Sequence, residues 1–98
     1  MGYKLSNLAA EDFANIYEYT LLNFGVLQAD AYTESLENTF HLLAGSPLMA
    51  KECSEIVAGV RRHDHQQHSI FYRCRERDIL VIRILHQQMV PLRDLFDI

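Results

Sequence analysis

Three side chains in the second half of the sequence have types suited to phosphate or proton chemistry: Arg61, Arg83 and His86. Guanidinium groups can stabilise a phosphoryl transition state, and an imidazole can carry a proton near neutral pH. Arg83 stands in the middle of Ile79-Leu80-Val81-Ile82-Arg83-Ile84-Leu85-His86, the most apolar run of the chain. A purely structural strand rarely chooses an arginine there. Two readings are open: Arg83 meets a phosphate or a partner, or it salt-bridges a carboxylate of its own chain and helps hold the sheet. His63, His65 and His68, with His86 nearby, form a second cluster, since imidazole is a common zinc ligand. They span a hairpin turn and not one fixed face, with His63 and His65 on one side and His68 beyond the turn. That pattern favours a polar hairpin, so neither a metal nor any other cofactor is expected. Cys74 with His86 as its base would make a thiol nucleophile, although a strand cysteine is more often a small buried hydrophobe. The sequence has no Gly-rich phosphate loop and no paired-carboxylate motif.

Composition narrows the classes these residues could serve. Ninety-eight residues suit one compact domain, here taken as 1–98, and 49% hydrophobic content suits a packed core rather than disorder. No apolar run reaches the ~20 residues of a membrane span. The first residues lack the apolar core of a signal peptide, so a cytoplasmic location with Cys53 and Cys74 reduced is expected. The net charge of −4 is unevenly spread: residues 1–55 carry eight acidic and two basic side chains, and residues 56–98 carry seven arginines and five acids. An acidic balance argues against nonspecific nucleic-acid binding, while the arginine-rich half could meet an acidic protein surface.

The elements that must position these residues follow from periodicity. Tyr3-Lys4-Leu5 is a short strand candidate. Ser6 is placed to cap a helix with Ala9, Phe13, Ile16, Tyr17, Thr20 and Phe24 on its inner face. Gly25 ends that helix and a second begins at once, with Ala29, Tyr32, Leu36, Phe40 and Leu43 inward, until Gly45-Ser46-Pro47. Two helices with so short a connection must fold back as an antiparallel hairpin. Leu48 to Glu55 reads as a linker, Ile56 to His63 as a strand with a possible bulge at Gly59, and Asp64 to Gln67 as a turn. His68 to Arg75 and Ile79 to His86 complete an antiparallel meander. Strict alternation in the last strand puts Leu80, Ile82 and Ile84 on one face, and Val81, Arg83 and Leu85 on the other. With one face under the helices, Arg83 is expected to line the uncovered one. Pro91 opens a short terminal helix or turn, in which Met89, Leu92, Leu95 and Phe96 either close the core or present a partner surface. The fold class is α+β: an N-terminal β-strand, an antiparallel α-hairpin packed on an antiparallel β-sheet, and a short C-terminal helix.

Particular residues along this order resemble the ParE branch of the RelE/ParE toxin superfamily. They are Leu5-Ser6 entering the first helix, Gly25 between the helices, Leu42-Leu43-Ala44 before Ser46-Pro47, and Gly59-Val60-Arg61 opening the sheet. Ile70-Phe71-Tyr72-Arg73, and Ile82-Arg83-Ile84-Leu85-His86 followed by Met89, extend the resemblance over nearly the whole chain. The resemblance implies a toxin neutralised by a cognate ParD-like antitoxin, with DNA gyrase as its target and no catalysis of its own. Within the superfamily, the RelE branch instead cuts messenger RNA on the ribosome. For that chemistry Arg61 and Arg83 would contact phosphate, and His63 or His86 would carry the proton. No tyrosine follows Tyr72, however, and only Lys4 and Lys51 supply lysine. A third possibility is a degenerate member without toxicity, suggested by His63 where ParE-like chains often carry a larger aromatic. The candidate target- or partner-binding residues are Arg61, His63, Tyr72, Arg73, Arg83, His86, Met89, Leu92 and Arg93.

Overall fold

The computed structural model describes residues 2–96. Strand β1 (Gly2–Leu5) leads into helices α1 (Asn7–Phe24) and α2 (Val26–Gly45). Strands β2 (Lys51–Glu52), β3 (Val60–His65), β4 (His68–Cys74) and β5 (Asp78–His86) follow, and a single 3-10 turn, Arg93–Leu95, lies beyond them. The sheet order is β1-β5-β4-β3-β2. Every pairing is antiparallel except β1 with β5, which is parallel. This is the expected α+β arrangement, with a two-residue edge strand inside what the sequence presents as a linker.

Gly25 makes the helical hairpin possible. Its φ of 91° lies in the region that side-chain-bearing residues rarely enter, and its N–H closes α1 on the Leu21 carbonyl at 3.0 Å. At the other end of α1, the Ser6 hydroxyl oxygen accepts the Ala9 N–H at 3.0 Å and its proton goes to the Ile82 carbonyl at 2.7 Å. The helix cap is thus also a tie to β5. Ala9, Ile16, Tyr32, Leu36, Phe40 and Leu43 pack from the helices onto Ile70, Tyr72, Ile79, Val81 and Ile84. Two expected inward residues depart from this. Phe24, the last residue of α1, is 67% exposed. Tyr17 is half-buried and its hydroxyl donates to Asp30 at 2.9 Å, pinning α1 to α2.

The opposite face of the sheet is also covered. Val60, Phe71, Ile82 and Leu85 form a second core with Cys53, Val57 and Phe96. Residues 53–59 fold as turns closed by Cys53 N–H to Val60 O at 2.8 Å and Ile56 N–H to Cys53 O at 3.0 Å. Ile56 and Val57 therefore pack beneath the sheet and do not extend it. The strand begins at Val60, not Ile56, and Gly59, with φ 81°, turns the chain into it without being a bulge. The turn shortens to Gln66 and Gln67, with Gln66 at φ 51°. The bulge is in β5: Tyr72 pairs with Val81 and Phe71 with Arg83, leaving Ile82 as the extra residue. It breaks the strict alternation, so Val81 and Ile84 face the helices while Leu80, Ile82 and Leu85 face away. In the tail Phe96 is buried edge-on to Phe71 at 5.0 Å, Leu95 is half-buried and Leu92 is exposed. The tail therefore closes a core through Phe96 but not through Leu92. Cys53 and Cys74 are both free thiols.

Candidate functional site

A groove of about 600 Å³ opens between the end of the helical hairpin and the far end of the sheet. One wall comes from α1, through Ile16, Tyr19, Thr20 and Phe24. Tyr32 of α2, His68 of β4 and the stretch Arg83–His86 with Met89 form the rest, and Asn15, Gln28, Gln66 and Gln67 bring side-chain amides to it. The lining mixes apolar and aromatic surface with uncharged polar groups, and its only charged side chains are Asp12 and Arg83.

Those two charges neutralise each other. Arg83 Nε and Nη2 donate to the two oxygens of Asp12, each at 2.8 Å, in a bidentate pair whose side chains are only 15% and 13% exposed. Asp12 Oδ2 also accepts the Ile84 N–H at 3.0 Å, and Arg83 Nη1 donates to the Leu95 carbonyl. The hydrogen bonds to Asp12 hold the Arg83 guanidinium even more firmly in its charged form than usual. Arg83 therefore links α1, the β5 bulge and the tail. Of its two readings, the structure supports the intramolecular salt bridge, and the side chain does not project freely from an uncovered face.

The histidines follow the register of the sheet. His65 pairs with His68, and His68 with His86, so the three stand in one row across three strands. Tyr32 covers the row, its hydroxyl 2.6 Å from His68 Nδ1 and its ring 5.5 Å from that of His68. The His68 and His86 rings meet edge-on at 5.5 Å. Burial lowers the His68 pKa to about 4, helped by His86 and His65 and opposed by Asp12. His65, between Ser35 Oγ at 3.0 Å and Thr39 Oγ1 at 3.2 Å, is also pushed down, by burial and by His63. Among the described residues no three His, Cys, Asp or Glu side chains converge so as to hold a metal ion.

Three of the nine candidate residues line the groove: Arg83, His86 and Met89. Arg61, half-buried, spends a guanidinium donor on the Ala50 carbonyl at 2.7 Å. His63 is half-buried beside Ile70 in the register. Tyr72 is fully buried with its hydroxyl on the Pro47 carbonyl at 2.6 Å, so it is a core residue and offers no side-chain surface to a partner. Arg73 turns to the Ala58 carbonyl, while Leu92 and Arg93 are exposed on the tail. Sequence reasoning missed Asp12, Phe24 and Tyr32 as groove residues, whereas Tyr19 reads from the sequence as a possible surface anchor and does line the groove. Nothing local marks Asp12, whose partner lies 71 residues away. Tyr19, Leu22, Phe24, Val26 and Leu27, all more than half exposed, are the signal that was available: an apolar run too long for a helical turn.

Residues 3–91 match the family described as ParE toxin of type II toxin-antitoxin system, parDE. The chain belongs to the ParE toxin family. It is 37% identical over 87 residues to Toxin ParE1 of Caulobacter vibrioides, covering 89% of this chain and 90% of that protein. It is 35% identical over 94 residues to Toxin ParE1 of Mycobacterium tuberculosis, covering 95% of this chain and 96% of the relative. Among solved structures, the chromosomal ParDE toxin–antitoxin system from P. aeruginosa superposes with a TM-score of 0.75 at 25% identity, over 88% of this chain and 95% of that one. This ParE chain is accordingly the toxin component of a type II toxin–antitoxin system, a class that implies an antitoxin partner. No described helix is long and apolar enough to cross a membrane.

Proposed function

We propose that this ParE chain inhibits growth by binding DNA gyrase in the cytoplasm, and that a cognate ParD-like antitoxin neutralises it by laying an amphipathic segment along the groove. One observation carries the reading. The groove offers Tyr19, Phe24 and Met89 to an apolar partner, while its cation, Arg83, is already paired with Asp12. Apolar and aromatic anchors in a concave site are what a docked helix uses, and an internally paired arginine is a poor phosphate contact. The arginines outside the groove, Arg61 and Arg73, sit on backbone carbonyls and do not converge with it. No observation favours the alternative of a ribosome-dependent ribonuclease, since Arg83 is paired with Asp12, Arg61 donates to a backbone carbonyl and Tyr72 is buried.

Purified chain, gyrase and relaxed plasmid test the reading. The expected result is loss of supercoiling with trapped cleavage complexes, reversed by adding the antitoxin encoded beside the toxin. Normal supercoiling with folded protein in excess would remove gyrase as the target. New cuts in A-site codons on translating ribosomes would move the assignment to the ribonuclease reading. Unchanged colony counts on expression without antitoxin would leave a non-toxic family member.

A further inference from the structure

Two members of the histidine row, His68 and His86, form part of the groove wall, with His65 next to them in the register, and the ring nitrogens are committed in ways that bear on protons. A backbone N–H can only donate, so the contact from Gln88 N–H to His86 Nδ1 at 3.2 Å requires that nitrogen to be bare. Protonating it breaks this side-chain contact and leaves the backbone bond from Met89 N–H to the His86 carbonyl at 2.9 Å to close the turn alone. Tyr32 meets His68 Nδ1, and the next ring along, His86, is 5.5 Å away, close enough for two imidazolium charges to repel strongly in a partly desolvated site. The groups facing the row offer no free counter-charge. From α2 come Tyr32, Ser35 and Thr39, all uncharged. From α1 comes Asp12, already shared by Arg83 and the Ile84 N–H. From the sheet come His63 beside His65, and Arg83, a further cation. A cation formed on the row would therefore have no free carboxylate beside it, and a segment lying in the groove removes still more water from His68 and His86.

We propose that the His65–His68–His86 row makes occupancy of the groove proton-linked, so that a partner segment held at neutral pH is released as the row takes up protons. The proposal rests on the reading of the groove as the antitoxin site. Whatever buries an uncharged imidazole without supplying a carboxylate disfavours its protonation, so proton binding and partner binding compete. A partner that brought a carboxylate to the row would reverse the sign, with binding tightening on acidification.

The test uses the complex of this chain with the antitoxin encoded beside it, its Kd measured by fluorescence anisotropy at about pH 7.5 and about pH 5.5. The wild-type complex is expected to weaken by up to about tenfold between the two, the limit that one imidazole of ordinary pKa sets over that window. His86→Gln, at a groove-lining position, is compared by the ratio of its Kd values at the two pH values and not by absolute affinity, and it is expected to lose most of that pH dependence. His68→Gln serves as a second variant, with its melting temperature checked because Tyr32 packs on it. An antitoxin that titrates by itself contributes equally to wild type and variants, so the comparison isolates the row. Affinity independent of pH, affinity that rises on acidification, or a pH dependence unchanged in both variants overturns the proton link and leaves the partner assignment standing. Absence of any complex at about pH 7.5 overturns the assignment of the groove and the proposal with it.

Discussion

Replacing Arg83 by alanine separates a contact residue from an architectural one. The side chain makes two charge-assisted hydrogen bonds to Asp12 and one to the Leu95 carbonyl. Breaking a buried pair by removing one partner costs about 3–5 kcal/mol, because the other charge is left behind. Here both side chains keep some water, at 15% and 13% exposure, and Asp12 retains the Ile84 N–H. The expected loss is therefore smaller, about 2–3 kcal/mol. At ~4–8 °C per kcal/mol for a domain of this size, that is a fall in Tm of roughly 10–20 °C. Urea melts of wild type, Arg83→Ala, Asp12→Ala and the double variant measure the coupling, expected at about 1.5–3 kcal/mol. Arg83→Lys restores the charge but not the planar fork, and should recover only part of the loss. Growth inhibition should fall with the folded fraction and no further. An Arg83→Ala protein within about 0.5 kcal/mol of wild type refutes the structural argument. If that stable protein had also lost toxicity, Arg83 would be a target contact after all.

Three further perturbations probe other parts of the frame. His68 has a folded-state pKa of about 4 against an ordinary 6.5, so the unfolded chain binds the extra proton between those values and stability falls as pH drops through that window. At roughly 1.4 kcal/mol per unit the full shift corresponds to about 3 kcal/mol, which solvent screening of a half-exposed ring reduces to about 1–2; urea midpoints at pH 7 and 4.5 should show it, and His68→Gln should lessen it. Gly25→Ala places a Cβ at φ 91° and should destabilise by about 1–2 kcal/mol although nothing lies within 4 Å of that Cβ; a thermal melt unchanged from wild type would show that the hairpin relaxes around it. Phe96→Ala should cost about 3 kcal/mol by opening the second core, whereas Leu92→Ala, 60% exposed, should cost under about 0.5, and equal melts for the two would place the tail differently.

The frame was legible in the sequence where local physics decides it. Ser6, Gly25 and the inward set Ala29, Tyr32, Leu36, Phe40 and Leu43 are written in cap chemistry and helical period, and all take the expected places. The apolar run from Ile79 reads correctly as a strand, but the face expected to be uncovered is closed by Phe96, Cys53 and Val57 while the helices cover the other. What failed was non-local. Ile56 and Val57 have β-type side chains but are held in turns, because the Cys53 amide and carbonyl are taken up by Val60 and Ile56. The β5 bulge leaves no mark in composition, yet it decides which side Ile84 and Leu85 face. A period-two count carried through Ile82 necessarily assigns the residues beyond it to the wrong sides.

That bulge also connects the fold to the site. The Ser6 hydroxyl bonds the Ile82 carbonyl, Asp12 one helical turn and a half later holds both the Arg83 guanidinium and the Ile84 N–H, and Arg83 in turn holds Leu95. The start of α1 is thus stitched to the irregular part of β5 by consecutive residues, and the tail is drawn onto the opposite face by the same arginine. Past the bulge, His86 faces the same side of the sheet as Ile84, towards Tyr32 and His68, and the groove opens between these residues and the C-terminal half of α1. The residue with the most obvious chemistry in the sequence is absorbed in building this end of the molecule. What remains accessible there is a concave surface of aromatic rings, a methionine, amides and imidazoles, which suits recognition of another protein better than bond cleavage.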